Sequence, residues 1–293
     1  MRILVVMPHY FRETGADETN RSRRIGARPE RLRALVAAIS GLHQSFGSAV
    51  YGLDHQQRAA WQAVPAGERV LDLIVCTAGD AHLLADLAAL RPLFQHHQAA
   101  VDPPMLGFEG HRLLAEAAGR YDYYAYVEDD VVVTDPFFLD KRRTFDGRFG
   151  PDALLQPNRY ELSATGPVHK LYVDYRLNPQ VTERYQNLAD TPRLEMPFLD
   201  RTIGFERPTY PSAGCFFLSA AQLERWAKGP YYLDGDVSYL SPLDSAVTLS
   251  VMKTFRIYKP ALPQAWFLEV LHASPRWISL GSELPLKPFG IGQ

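Results

Sequence analysis

Three consecutive acids, Glu128-Asp129-Asp130, directly follow the apolar run Tyr123–Val127. Adjacent carboxylates repel one another unless a cation offsets their charge. A hard divalent ion accepts carboxylate oxygens and leaves positions for phosphate oxygens, which suits a nucleoside diphosphate. A solvated acidic turn is the alternative interpretation, but apolar residues flank the acids on both sides. The sequence therefore predicts a metal and diphosphate site at this point.

The elements that must position these acids alternate between strands and helices. Apolar runs predict strands over 3–7, 70–76 and 123–127. A helix beginning at Pro29 carries apolar residues at spacings of three and four, Asp80 can cap a second helix, and a third covers 113–117. The first of these helices buries Leu32, Leu35, Val36, Ile39 and Leu42. This order predicts an α/β protein with a mainly parallel central sheet flanked by helices.

The second half of the chain has a weaker pattern. The apolar residues 153–155 indicate a strand. The stretch 158–207, rich in Pro, Arg, Tyr and Asn, is predicted to be a loop-rich insertion of long loops and short elements, not a separate domain. A strand over 213–218 precedes a capping box formed by Ser219 and Gln222. Another helix opens at Ser241, with Ala246, Val247, Val251 and Phe255 facing inward. A late strand covers 266–271 and ends at His272.

The stretch YDYYAYVEDDVVVTDPFFL (121–139) resembles the DxD region of GT-A-fold glycosyltransferases. The resemblance implies one GT-A domain over 1–293, with a nucleotide-binding half (1–135) and an acceptor-binding half (136–293). It implies a nucleotide-diphosphate sugar donor, with a UDP-sugar preferred, and Mn²⁺ or Mg²⁺ as the metal. The acceptor would be a hydroxyl of a glycan or glycoconjugate: a growing polysaccharide, a lipid-linked glycan or a protein.

The same resemblance assigns roles to single residues. Asp130 and Glu128 are the expected metal ligands, although Glu stands where the motif has Asp, and Asp129 is expected to orient the ribose or the donor sugar. His272 follows the last strand, where many such enzymes place a histidine ligand; a lone histidine is more often a capped or surface residue. The candidates on the nucleotide side are Pro8, His9, Arg24 and Asp80, with Asp72 a weaker one.

The loop after the first strand is rich in arginine, which suits phosphate recognition, although a solvated charged loop is an equal alternative. Its arginines are Arg12, Arg21, Arg23, Arg24 and Arg28. His9 lies outside any pattern that would make it a metal ligand, as do His169 and the pair His96-His97.

On the acceptor side, the resemblance points to the segment before the helix that carries Asp244. Its candidates are Tyr210, Ser212 and Gly214, and Trp266 is a further acceptor-side candidate that could stack on a sugar ring. A carboxylate at Asp244 could deprotonate the acceptor hydroxyl as general base. An acid at that position also caps any helix start, so the two interpretations stay open. Further aromatic residues could stack on sugar rings but are more often core: Trp226, Tyr231, Tyr232 and Trp277.

Composition excludes several classes. The net charge of −2 does not favour a nucleic-acid partner. The two cysteines are too few for a disulfide framework and are expected to be buried thiols. No apolar run is long enough for a signal-peptide core or a membrane span, which favours a cytoplasmic protein, with peripheral membrane contact if the acceptor is lipid-linked. A non-catalytic subunit of the same fold is the main alternative. A nucleotidyltransferase is disfavoured because the first loop has one glycine, and a phosphatase because the first strand ends in Met7-Pro8-His9.

Overall fold

A computed structural model of the chain describes residues 1–15, 22–65, 67–283 and 285–287. Its central sheet has five strands in the order β13-β6-β1-β4-β5. Three of the pairings are parallel, and β13 alone pairs antiparallel, with β6. The mainly parallel sheet predicted from the sequence is therefore confirmed. The five strands are β1 (Arg2–His9), β4 (Val70–Ala78), β5 (Gln95–Ala99), β6 (Tyr123–Val127) and β13 (Cys215–Ser219).

Helices cover both faces of this sheet. Helix α1 (Arg28–Phe46) packs on the face that carries Val5 and Val127, whereas α2 (Leu106–Glu116) packs on the face that carries Val6. Because successive strand residues point to opposite faces, a strand covered on both sides is mostly apolar, as β1 is between its two ends and β6 is along its whole length.

The order of the strands creates a switch point between β1 and β6. The chain runs from β1 outward through β4 to β5 on one side, and then returns over α2 to place β6 on the other side of β1. In open α/β sheets, ligands bind beyond the carboxyl ends of the strands at such a point. The carboxyl ends of β1 and β6 are His9 and Val127, so the predicted acids follow directly at this crevice.

The remaining elements build two smaller sheets and a hairpin around this core. One sheet has the order β10-β9-β15-β7 and the other β11-β12-β14-β8, while β2 and β3 form the hairpin. The strands are β2 (Tyr51–Asp54), β3 (Ala59–Gln62), β7 (Val131–Val132), β8 (Ala153–Leu155), β9 (Asn158–Leu162), β10 (Lys170–Tyr172), β11 (Arg193–Phe198), β12 (Arg201–Glu206), β14 (Arg256–Pro260) and β15 (Glu269–His272); the helices are α3 (Phe138–Phe149), α4 (Pro179–Glu183), α5 (Ala220–Ala227), α6 (Pro242–Asp244) and α7 (Ser250–Thr254). Among the described residues, none of the helices is long and apolar enough to cross a membrane.

Several local predictions are confirmed. The capping box of Ser219 and Gln222 is formed at the start of α5, and Pro29 lies in the first turn of α1. A π-helical turn, Ser245–Leu249, joins α6 to α7, and the four apolar residues expected to face inward there are all buried. Cys76 and Cys215 are buried free thiols.

Other local predictions are wrong. Asp80 caps no helix: the segment is a 3-10 helix, Leu84–Leu93, that contains Pro92 and is kinked at Leu87, and the Asp80 carboxylate accepts a hydrogen bond from Gln98 instead. Proline removes a backbone donor and clashes with the preceding turn, so a regular α-helix cannot continue there.

The later part of the chain also differs from its prediction. The stretch 158–207 is more regular than its weak periodicity suggests: its short elements include four strands, and two of these pair with β14 and β15 from later in the chain. The strand expected over 266–271 begins only at Glu269, after a 3-10 turn, Leu262–Phe267. Val36 is 36% exposed instead of buried.

Candidate functional site at the switch point

Asp129 joins the ends of β1 and β6. Its Oδ2 lies 2.5 Å from Nδ1 of His9, whose other ring nitrogen accepts a hydrogen bond from the backbone of Leu83 at 3.0 Å. Both side chains are buried. His9, a candidate from the sequence, therefore contacts the acidic cluster (Glu128, Asp129 and Asp130), where it orients Asp129. Its neighbour Pro8 lies inside β1, paired with Cys76.

Arg31 from the first turn of α1 bridges the two aspartates. Its Nη1 donates to Asp130 Oδ2 at 2.7 Å, and its Nη2 donates to Asp129 Oδ1. The Arg31 side chain is 7% exposed. Burial opposes the charge on this guanidinium, but the two carboxylates outweigh it and raise its pKa. Arg31 was not among the residues expected from the sequence. Its position four residues before the buried Leu35 places it on the buried face of the same helix, where a charged residue is unusual.

His272 lies between Asp130 and Glu161. Its Nε2 is 3.4 Å from Asp130 Oδ2, and its Nδ1 is 2.7 Å from Glu161 Oε1. Burial opposes the charged imidazole, but Asp130 and Glu161 outweigh it and raise the pKa of His272 to about 9. Glu161 in turn accepts three backbone N–H bonds from residues 276–278. The structure thus brings His272 next to Asp130 and holds it there through Glu161, which was not among the residues expected from the sequence.

Glu128 faces a second arginine, Arg159, whose side chain is 11% exposed. Its Oε2 lies 3.8 Å from Nη1 of Arg159, which donates two hydrogen bonds to Asp174 at 3.0 and 2.9 Å. Burial is the largest influence on Glu128 and raises its pKa to about 8, although Arg159 works in the opposite direction. Because Arg159 donates both of its hydrogen bonds here to Asp174, its attraction for the Glu128 carboxylate does not offset the effect of burial on the Glu128 pKa. Both Arg159 and Asp174 were missed because they fall in the stretch without periodicity.

The segment that precedes β13 closes over Glu128. The Gly214 carbonyl accepts the Glu128 N–H at 2.9 Å, and the Ser212 carbonyl accepts a hydrogen bond from buried Lys259 at 2.5 Å. Burial is the main reason that the pKa of Lys259 falls to about 8. Tyr210 is half-buried, and burial together with the nearby Asp174 and Asp244 raises its pKa. Three of the predicted acceptor residues thus border the acidic cluster.

Gly214 leaves no room for a side chain. Its φ is +65°, and a Cβ would lie 2.7 Å from Val131 Cγ2 and 2.9 Å from Glu128 Oε2. We expect Gly214→Ala to lower the free energy of unfolding by about 1–3 kcal/mol more than Gly235→Ala does, because overpacking adds to the strained φ. Gly235 has almost the same φ (+66°) with open space around it. Chemical denaturation of both variants would test this, and equal losses would contradict it.

Asp244 lies at the end of α6 and is hydrogen-bonded by its own helix cap. Ser241 donates to Asp244 Oδ2 at 2.6 Å and accepts the Asp244 N–H at 3.1 Å. Burial raises the pKa of Asp244, while Ser241 and Arg159 partly offset that shift. Helix α6 also packs against the 3-10 turn Pro103–Met105, beside the cleft described next. The cap predicted as the alternative interpretation is present, and it leaves the carboxylate half-buried.

An open cleft of about 520 Å³ lies at the carboxyl ends of β1, β4 and β5. Its wall contains the residue that follows His9 and, from the other two strands, residues at or just after their last positions. Such a cleft at the carboxyl edge of a doubly wound sheet is where that fold binds its ligands. Residues in the wall include Tyr10, Arg12, Gly79, Ala99, Ala100 and Asp102.

Other residues singled out from the sequence lie elsewhere. Arg24 pairs with Glu30 at 2.9 Å, and Arg28 pairs with Asp86 at 2.6 Å. Trp266 is 40% exposed and lies beneath the Arg201 guanidinium on the turn before β15. Asp72 accepts a hydrogen bond from the hydroxyl of Tyr121, and Trp226 is wholly buried, so its ring is not available to stack on a sugar. Trp277 and Tyr231 are exposed, and Arg21 lies outside the described residues.

The donor groups do not fit the predicted metal. Both oxygens of Asp129 already have partners, and Asp130 Oδ2 is shared by Arg31 and His272. A divalent ion takes oxygen ligands at about 2.0–2.6 Å, so binding through any of these three oxygens would have to displace a side chain that already holds it. Within the described part of the chain, no three His, Cys, Asp or Glu residues are grouped so that they could hold a metal ion. Glu128, Asp130 and His272 therefore share a site, but its cationic partners are side chains.

Fold and site together define a doubly wound α/β protein with a charge-compensated acidic cluster at its switch point. No protein-family model and no curated protein sequence matches the chain. Among solved structures, the chain is similar to S. aureus TarS 1-349, with a TM-score of 0.45 and 11% identity over 91% of this chain and 62% of that one. The same fragment with UDP gives a TM-score of 0.42 at 11% identity (91% and 62%), and with UDP-GlcNAc 0.43 at 11% (94% and 61%). The chain thus spans less than two thirds of the length of these structures.

Proposed function

We propose that the protein is a GT-A-type glycosyltransferase that moves a sugar from a nucleoside-diphosphate donor to a hydroxyl of a glycan or glycoconjugate. One observation carries the proposal: the carboxyl edge of a doubly wound sheet holds an open cleft at the ends of β1, β4 and β5 and a buried acidic cluster at the ends of β1 and β6. In this proposal residues 1–135 hold the donor and residues 136–293 complete the site for the acceptor, within one domain. A UDP-sugar is the first donor to test.

The proposed chemistry is a single displacement at the anomeric carbon in each transfer event. The acceptor oxygen forms a bond to that carbon, the bond to the diphosphate oxygen breaks, and its electron pair leaves with the diphosphate. Asp244 takes the proton of the acceptor hydroxyl, since a positioned carboxylate with a raised pKa is suited to this role. Arg12, an exposed residue of the cleft wall, is the group proposed to meet the diphosphate charge.

The acids of the cluster have a different role in this proposal. Asp129, which is held by His9 and Arg31, orients the ribose or the donor sugar in this proposal, as the resemblance in the sequence suggests. The divalent metal predicted from the resemblance has no role in this proposal, because Arg31 already occupies one carboxylate oxygen of Asp129 and one of Asp130.

Filling the cleft should remove nucleotide binding. Ala100 is exposed on the cleft wall, so Ala100→Trp should occupy the cleft without disturbing the core. We expect nucleotide affinity to fall about tenfold or more, a loss of at least roughly 1.4 kcal/mol of binding free energy. The control Ala60→Trp adds the same side chain on the exposed hairpin strand β3 and should bind like wild type.

The measurement is a thermal-shift screen followed by calorimetry with UDP, GDP, ADP, CDP and their sugars. A folded-state ligand at about a hundred times its dissociation constant adds roughly 2.7 kcal/mol of stability, which shifts the unfolding midpoint. Release of nucleoside diphosphate from the bound sugar nucleotide then tests turnover. Binding without any turnover or transfer would favour the non-catalytic alternative, and no nucleotide binding at all would refute the proposal.

A further inference from the structure

The acidic cluster has a cation of its own built into α1. Arg31 contacts Asp130 through Nη1 and Asp129 through Nη2, and Nη1 also lies 3.4 Å from the hydroxyl of Ser274. The guanidinium therefore touches the end of β6 and the segment after β15 at the same time. A planar fork of this kind matches two carboxylates more closely than a lysine ammonium could.

The backbone of α1 fixes the position of Arg31. Its N–H is bonded to the carbonyl of Ala27 at 2.9 Å, in the first turn, where Pro29 sets the helical backbone. Leu35, one turn later on the same face, is fully buried against the central sheet. The arginine side chain thus enters the cluster from a rigid helix, and a large movement would break the packing of the first turn of α1.

Three of the four carboxylate oxygens of Asp129 and Asp130 already have side-chain partners. Oxygen atoms of Asp129 point to His9 and Arg31, and the Oδ2 of Asp130 is shared between Arg31 and His272. A divalent ion bound to both aspartates would come close to the guanidinium, and two positive charges in a buried site repel strongly. Arginine also stays protonated at any working pH, so its charge does not leave the site.

We propose that Arg31 takes the place of the divalent cation in this site, so that the acidic cluster is held together, and the donor is bound, without a metal. The part of this inference that concerns the donor rests on the proposed function. The part that concerns metal binding does not, because it can be measured with the metal alone.

The first test uses Mn²⁺ and the full chain without nucleotide. Electron paramagnetic resonance should show no stoichiometric Mn²⁺ binding to the wild type. Arg31→Met keeps the aliphatic stem but frees two buried carboxylates, so it should gain a Mn²⁺ site that a second substitution, Asp130→Asn, removes. Arg31→Lys retains a cation and should remain free of Mn²⁺. One Mn²⁺ bound per wild-type chain, and lost in Asp130→Asn, would overturn the inference even if Arg31→Met fails to fold.

The second test compares UDP affinity of the wild type in chelator and in Mn²⁺. We expect the two dissociation constants to agree within about threefold, a difference well below the 1.4 kcal/mol of a tenfold change. Affinity that is about tenfold or more higher with Mn²⁺ would overturn the inference. If neither UDP nor any other nucleotide binds in either condition, the proposed function fails, whereas the Mn²⁺ titration without nucleotide still decides the role of Arg31.

Discussion

Asp244→Asn should lower sugar transfer by about 10²- to 10⁴-fold and leave nucleotide binding within about threefold of wild type. The amide is isosteric with the carboxylate and can still accept the hydrogen bond that Ser241 donates at 2.6 Å, so the helix start stays intact. What is lost is the ability to take the proton of the acceptor hydroxyl. The measurement is the rate of transfer at saturating donor, together with the dissociation constant of the nucleotide.

A matched variant separates the catalytic interpretation from the helix cap. Ser241→Ala removes the cap but keeps the carboxylate, and should cost about 1 kcal/mol of stability with a much smaller loss of transfer. If Ser241→Ala and Asp244→Asn lower transfer equally, or if Asp244→Asn transfers at the wild-type rate, Asp244 is a structural cap and the base lies elsewhere.

The same assignment has a pH signature. Burial raises the pKa of Asp244 above its ordinary value, so the carboxylate is protonated at a higher pH than an exposed aspartate would be. The base is active only when ionised. Transfer should therefore fall as pH decreases, with the acid limb of its pH profile above the usual aspartate range. A flat profile through that range would argue against Asp244 as the base.

The sequence predicts the central sheet well, for a local reason. A strand covered on both faces is mostly apolar, so β1, β4 and β6 each contain a run of apolar residues that can be recognised in the sequence. The acids after β6 are readable as well, because a cluster of charges next to such a run is unusual. These signals need only neighbours in sequence, which is why the position of the site could be predicted although its partners could not.

The partners of those acids are distant in sequence. Arg31 is 99 positions from Asp130, and Glu161 is 111 positions from His272. Only folding brings these residues together. The sequence around Glu161 gives no local signal, and that around Arg31 gives only a charge on the buried face of a helix. The sequence therefore predicts a metal from the acids alone, whereas the structure supplies two arginines and a charged histidine.

This difference changes what the cluster can do. Residues that bind a metal must be free to receive it, but here the charges are matched in advance by side chains from α1, β9 and β15. A preformed, paired site keeps its geometry in the absence of any ligand, at the cost of burying several charges together. The stability of the protein should consequently depend on each of these pairs.

The largest stability effect should come from Asp174→Ala. Asp174 is 3% exposed, holds Arg159 through two hydrogen bonds, and lies 3.9 Å from the ammonium of Lys259. Its removal takes the nearest carboxylate from Arg159 and from Lys259, and leaves Arg159 with Glu128 at 3.8 Å. Breaking a buried pair by removing one partner costs about 3–5 kcal/mol, because the remaining charge is uncompensated. Chemical denaturation at neutral pH measures this loss directly.

Two comparisons make that expectation specific to the buried charge. Glu224→Ala removes one partner of an exposed pair with Lys228 and should lower stability far less than Asp174→Ala does, because solvent screens the pair. The double variant Asp174→Ala with Arg159→Met should be more stable than Asp174→Ala alone, because an apolar side chain in that position has no charge to desolvate. If the double variant is no more stable than the single one, lost packing and not the unpaired guanidinium accounts for the effect. In that case the shape of the Arg159 side chain, and not its charge, positions Glu128 and Gly214.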